Sequence, residues 1–403
     1  MIINNKKKIR LHIFIYLILF IFGLFISHTI KYGDDIDSHS LILSYLSIIE
    51  KGIYTPSRFY GSPLAEIIIG FFSYNLGGFI SSFICYFLYL ISIISIFNYS
   101  NYKNIFKNNE RNLFLILAIT NPVLLFDNLN PSDFILALFF FSTGILMLKS
   151  RLYFFSSIFL AFSIACRANF AAFVYTILFY DLLFSKDKIN KNKFFVIINT
   201  SIIGALFYLP VFIKHKFGFD FIQNSGGPSI EIYELLPRFF YKIYKSLGIY
   251  SSIIFFILLF YINIKIVKKI LIKFNREILV VLINLIIFFL IPTKTAIITL
   301  AVLFFYIIIL KVLNTKIIFL IILLNVLYWI VGYKIINISY KNLGECDAIE
   351  AKNINFNFQL EKGFYLIKKE KIKVKMKCDS FFFENKKNYL DGKKLSTNDA
   401  LGH

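Results

Sequence analysis

The chain has 403 residues, a formal net charge of +21, and is 58% hydrophobic and 19% aromatic, with a mean hydropathy of +0.71. That composition excludes a soluble globular domain and a disordered polycation, and apolar runs of about 20 residues recur as in a polytopic membrane protein. The runs are continuous Ile/Leu/Phe stretches, not alternating strands of about 10 residues, so the reading is an all-α bundle rather than a barrel.

In chain order the expected spans are 11 to 30, 76 to 97, 113 to 127, 132 to 148, 152 to 167, 169 to 184, 194 to 213, 249 to 264, 278 to 292, 295 to 310 and 317 to 336, about eleven transmembrane helices. Lys6 to Arg10 precede the first, but no small-residue cleavage site follows, so this helix is expected to stay as an anchor. With a cytoplasmic start, the inner segments hold 20 basic residues against three acids, and the outer loops with their helix ends hold 10 against ten. This asymmetry predicts a cytoplasmic amino terminus and an exported carboxy terminus. The positive charge is thus topology plus a basic tail. No nucleic-acid motif accompanies it, and the expected surroundings are membrane lipid.

The sequence divides at residue 336 into a membrane domain, 1 to 336, and an extracytoplasmic tail, 337 to 403. Period-two patterning in Asn353–Leu360, Phe364–Ile367 and Lys371–Lys377 predicts a small β-rich cap. Cys346 and Cys378 both fall in it; a disulfide between them would close a loop of 33 residues and stabilise the cap by roughly 3.7 kcal/mol. Cys85 and Cys166 lie in apolar segments and read as packing residues.

The first outer loop is the most specific part of the chain. Asp34, Asp35 and Asp37 crowd directly after the first helix, a concentration of charge that insertion does not require. The run Glu50 to Glu66 follows, with Arg58 and Tyr60 inside it and turn residues at Gly52, Pro56, Gly61 and Pro63, and reads as short surface helices and turns. The second outer loop is Asp127-Asn-Leu-Asn-Pro-Ser-Asp133, where Ser132 or Asp133 would cap the next helix. Arg167, amid Phe162-Ser-Ile-Ala-Cys-Arg-Ala-Asn-Phe170, must pair or reach the interface. In the long loop from 214 to 248 the stretch Leu236 to Tyr244 is amphipathic, and Tyr233, Tyr241 and Tyr244 suit either stacking on sugars or interfacial anchoring. His39 and His215 have no spaced partners that would make a zinc site.

Taken together, the acidic pair after the first helix, the Gly-x-Tyr and Ser-Arg-x-x-Gly-x-Pro-x-x-Glu run ending at Glu66, and the polar second loop resemble the GT-C glycosyltransferases, over roughly residues 10 to 336. The length and topology are similar to the phage-encoded serotype-converting O-antigen glucosyltransferases within that superfamily. The resemblance implies a GT-C-like fold and a polyprenyl-phosphate-linked sugar as donor. It also implies cations for the lipid phosphate at Arg167 and at Lys294 in Pro292-Thr-Lys294. Here the chain departs from the family: Thr295-Ala-Ile-Ile-Thr-Leu300 stands where Tyr-x-Leu-Pro is usual.

The implied reaction moves a sugar, glucose by the narrower likeness, from the lipid to a surface polysaccharide such as O-antigen. It needs one base for the acceptor hydroxyl and cations for the departing phosphate, and no cofactor. Asp34 and Asp35 are the expected catalytic residues, giving inversion by single displacement. Asp37, Arg58, Tyr60, Glu66, Asp127, Asp133, Arg167 and Lys294 are the expected substrate-binding set. Asp35, Glu66 and Asp133 could hold a divalent ion such as Mg or Mn. The competing classes are a flippase or transporter for lipid-linked saccharide and an O-antigen polymerase; neither inverted repeats nor a set of outer-loop arginines beyond Arg58, Arg167 and Arg238 is seen.

Overall fold

A computed structural model describes residues 17–33, 36–58, 61–101, 106, 108–184, 191–217, 232–261, 272–290, 294–342 and 349–372. They are mostly helical. The helices are α1 (Leu17–Ile30), α2 (Ile36–Lys51), α3 (Pro63–Ser100), α4 (Asn108–Thr120), α5 (Pro122–Leu129), α6 (Asp133–Lys149), α7 (Tyr153–Cys166), α8 (Phe170–Phe184) and α9 (Lys191–Lys214). After them come α10 (Ile232–Ser246), α11 (Ile249–Tyr261), α12 (Asn275–Leu290), a 3-10 turn (Thr295–Ile298), α13 (Thr299–Val312) and α14 (Thr315–Ile330). A hairpin, β1 (Val331–Asn342) and β2 (Ile349–Lys362), leads into α15, residues 364–372. Among the described residues three helical stretches, Pro63–Ser100, Lys191–Lys214 and Thr295–Val312, are long and apolar enough to cross a membrane, and the bent pair α4/α5 makes up to four. Leu183, Leu206, Phe256, Leu290 and Leu323 are each more than half exposed, apolar surface that suits lipid better than water.

A helix occupies part of each expected span, with three corrections. The segment expected as one helix, 113 to 127, is α4 and α5 bent by 75°. Pro122 has no N–H for a continuing ladder, and Asn121 caps the new helix by accepting from the amides of Val123 and Leu124. The second span begins at Pro63 rather than 76, because Pro at the first helical position starts α3 early, and Gly77 (φ 81) kinks it where the apolar span was expected to open. At the neighbouring Gly78 an added Cβ would lie 2.7 Å from the amide nitrogen of Tyr32, so α3 passes directly against the end of α1.

The third correction concerns the tail. The helix in the last expected span stops at Ile330, and Val331 onward pairs as an antiparallel strand with β2, Val331 opposite Lys362, with register irregularities between Lys334 and Ile336 and between Ser339 and Tyr340. The alternating Asn353–Leu360 is strand as expected, but Phe364–Ile367 is helical. Gly363 makes the change possible: a Cβ there would lie 2.2 Å from the Trp329 carbonyl oxygen and 2.3 Å from the Ile330 carbonyl carbon, so only a glycine lets the chain turn back onto α14. Helical spacing then buries Phe364 and Ile372 together. The Phe364 ring lies 5.5 Å from Phe126 and 5.4 Å from Tyr328, while Tyr365 lies 6.0 Å from Phe25 and 6.3 Å from Trp329.

Small residues draw the central helices close. At Gly144 of α6 a Cβ would meet Leu160 of α7 at 2.8 Å, and the Ser156 and Ser163 hydroxyls donate to the Gly144 and Ala137 carbonyls, each at 2.9 Å. Among the described residues, charged side chains gather mainly at two ends of this helical core. At one, Arg276 pairs with Asp181 at 3.3 Å and stacks on Tyr99 at 4.1 Å, and Lys311 pairs with Glu110 at 2.7 Å. The other end carries the residues singled out in the sequence. Cys85 and Cys166 are buried free thiols, as read.

Candidate functional site

Five ionic residues from five separate segments meet at that second end. Asp133 opens α6 and is fully buried. Arg58, in the loop between α2 and α3, reaches it with both terminal nitrogens, Nη1 to Oδ2 at 3.1 Å and Nη2 to Oδ1 at 3.3 Å. Arg167, at the C-cap of α7, donates Nη1 to Oδ2 at 2.6 Å and lies 3.4 Å above the Phe134 ring. Asp37, in the first turn of α2, pairs with Arg58 and with Lys294, the residue that opens the 3-10 turn.

Among the described residues the chain of pairs thus runs Arg167, Asp133, Arg58, Asp37, Lys294. Exposure is graded along it: the Asp133 side chain is 0% exposed, Arg167 7%, Arg58 14%, Asp37 13% and Lys294 32%. The buried end fixes geometry, because two guanidiniums in a water-poor site hold one carboxylate with directional bonds. The open end can meet a ligand.

Glu66 holds the loop that presents Arg58. It is fully buried in the first turn of α3. Its Oε1 accepts from the Ser57 amide at 2.7 Å, the Ser57 hydroxyl at 2.6 Å and the Ser62 amide at 3.0 Å, and its Oε2 accepts from the Tyr54 hydroxyl at 2.6 Å. The bond from the amide of Ser62, the N-cap, satisfies a donor at the start of α3, with Glu66 one residue beyond the position that a capping box uses. The Ser62 hydroxyl donates to Asp133 at 3.2 Å, which joins the hub to the ionic chain. Burial, with the Glu66 charge beside it, pushes the Tyr54 phenol well above its ordinary value, so it remains a donor.

The structure therefore brings together Asp37, Arg58, Asp133, Arg167 and Lys294, and places Glu66 behind them as a support. Asp127, near the end of α5, acts instead on Lys242 and Lys245 of α10. Asp34, Asp35, Tyr60, Cys346 and Cys378 lie outside the described residues. The carboxylates of Glu66 and Asp133, two of the three residues considered for a divalent ion, accept from hydroxyl, amide and guanidinium donors.

Sequence reasoning missed Tyr54, Ser57, Ser62 and Phe134. Ser62-Pro63 is a helix-start signal that could have flagged the hub. It missed Lys242 and Lys245 as well, which read only as loop charge. Compared with known protein families, curated proteins and solved structures, the chain shows no match.

Proposed function

We propose that this protein is an inverting glycosyltransferase of GT-C type that moves a sugar from a polyprenyl phosphate to a surface polysaccharide such as O-antigen at the outer face of a bacterial inner membrane. The reading includes about eleven spans, an inward amino terminus and an extracytoplasmic unit after residue 336. The observation that supports it most is the ionic chain from Arg167 to Lys294, whose Asp37 follows Asp34 and Asp35 closely in sequence.

In this reading Asp34 or Asp35 takes the proton from the acceptor hydroxyl as its oxygen attacks the anomeric carbon. The bond from that carbon to the phosphate oxygen breaks, and the electron pair leaves on the phosphate. Lys294 and Arg58, the open end of the chain, stabilise that anion as it forms, while Asp133 and Arg167 hold Arg58 in place. A flippase would need ionisable groups at mid-depth of its helices. These groups lie at helix ends and in loops.

The test is Asp34→Asn and Asp35→Asn, made separately in a strain whose surface polysaccharide can be typed, with insertion checked by membrane fractionation. At least one variant should lose modification entirely, and Arg58→Lys should lower it strongly because a single ammonium cannot bridge Asp37 and Asp133 as the fork does. Normal modification by both Asp variants ends the catalytic reading.

A further inference from the structure

Helix α5 has eight residues, too few to hold a helix by themselves, so its position is set by what packs against it. Part of that packing comes from the carboxy-terminal region. The bend at Asn121-Pro122 frees the Thr120 carbonyl, because the Leu124 amide that a continuous helix would direct to it goes to Asn121 Oδ1 at 3.2 Å. The indole N–H of Trp329 donates to that carbonyl at 2.8 Å. Phe126, fully buried, lies 5.6 Å from the Trp329 ring and 5.5 Å from that of Phe364. Helix α15 is anchored in turn on α1, where Tyr365 stacks on Phe25 and its hydroxyl meets that of Thr29 at 3.3 Å. Other contacts of α5 lead to the ionic chain. Asn130 is its C-cap and continues through Pro131 and Ser132 to Asp133. Asn128 Nδ2 donates to the Thr299 hydroxyl at 3.4 Å, next to the 3-10 turn that Lys294 opens. At Gly33 (φ 86), where the stretch leading to Asp37 begins, a Cβ would lie 2.5 Å from Asn130 Oδ1.

We infer that Phe364 is a positioning residue for the ionic site: through Phe126 it holds α5, and α5 sets where Asp133, the turn opened by Lys294 and the stretch before Asp37 stand relative to one another. Phe364 carries no group that could titrate or pair with an ion at the site, so its effect passes through the helix it packs on. Gly363 commits it to this place by letting the chain turn back onto α14. A close-packed contact of this kind transmits a displacement instead of absorbing it. The hairpin and α15 are therefore a structural part of the site, not an appendage to it. The inference rests on the packing around α5 and not on glycosyl transfer.

Hydrogen exchange followed by mass spectrometry on the full-length protein in detergent tests this. In Phe364→Ala the amides of residues 295–302, which follow Lys294, should exchange at least about tenfold faster than in the unaltered protein, while residues 175–184 and 275–280 at the opposite polar end keep their rates. Phe126→Ala should give the same pattern, and the double variant should add nothing to either alone, because both act at one contact. Where Phe364→Ala does not accumulate in the membrane, Phe364→Leu should shift the same amides in the same direction. Three results overturn the inference: unchanged protection at 295–302, faster exchange at both ends alike, or additive effects of the two substitutions. No sugar transfer enters the readout, so the inference can fail while the proposed reaction stands.

Discussion

At the scale of single residues, Asp133 is the position on which the ionic chain depends. It is fully buried and accepts from Arg58, Arg167 and Ser62. Removing one partner of a buried pair strands the other, and costs about 3–5 kcal/mol. Asp133→Asn should therefore lower thermal stability sharply, whereas Asp133→Asn with Arg167→Gln should lose less than the sum, because the orphaned guanidinium is gone. Additive losses in thermal unfolding would mean that the two residues do not depend on each other. Arg58, Asp133 and Arg167 were legible in the sequence because charge beside long apolar runs must be satisfied. Phe134 and the serines were not, because an aromatic or a serine in such a chain has many ordinary uses. Their roles come from partners as remote as Ser62 is from Asp133.

At the scale of elements, helix positions were legible and helix joints less so. Apolar runs reveal where lipid-compatible helices lie, but the bend at Asn121-Pro122 and the kink at Gly77 are matters of backbone conformation that hydropathy does not carry. Gly363 shows the same limit: its need for a bare Cα arises from the backbone of Trp329 and Ile330, which no local pattern contains. Helix α10 carries a consequence for stability. Lys245 and Lys242 titrate at about 7 and about 8, below their usual 10.5, because burial disfavours their charge. Below pH 7 the folded and unfolded chains both keep these protons, and the folded state bears the full cost. As pH climbs from about 7 toward 10.5 the folded state releases protons that the unfolded chain retains, so stability rises. Thermal unfolding in phosphate-free buffer from pH 6 to 9 should show this rise, and Lys242→Met/Lys245→Met should flatten it. An unchanged slope in the double variant would assign the rise to other groups.

At the scale of the whole molecule, the charged residues that the structure describes gather mainly at two ends. Lys193, Arg276 and Lys311 gather at one end with Asp181, Glu277 and Glu110, and the chain from Arg167 to Lys294 closes the other. The sorting was visible in the sequence as 20 basic residues against three acids in alternate loops, because loop charge needs no knowledge of contacts. Asp181 was read as part of a helix interior, and its place beside Arg276 is a tertiary fact. The positive-inside rule turns the sorting into an orientation: the lysine-rich end, with Lys186, Lys188, Lys191 and Lys193 in one loop, should face the cytoplasm. A cytoplasm-active reporter fused near Lys188 and a periplasm-active reporter fused after Glu345 should both be active. The second fusion also asks whether the hairpin that follows α14 is exported, since β1 starts directly at Val331 with no residue between. If both fusions report the opposite compartments, the ionic chain faces the cytoplasm, where nucleotide sugars rather than lipid-linked ones are at hand, and the donor in the proposed reaction must change with it.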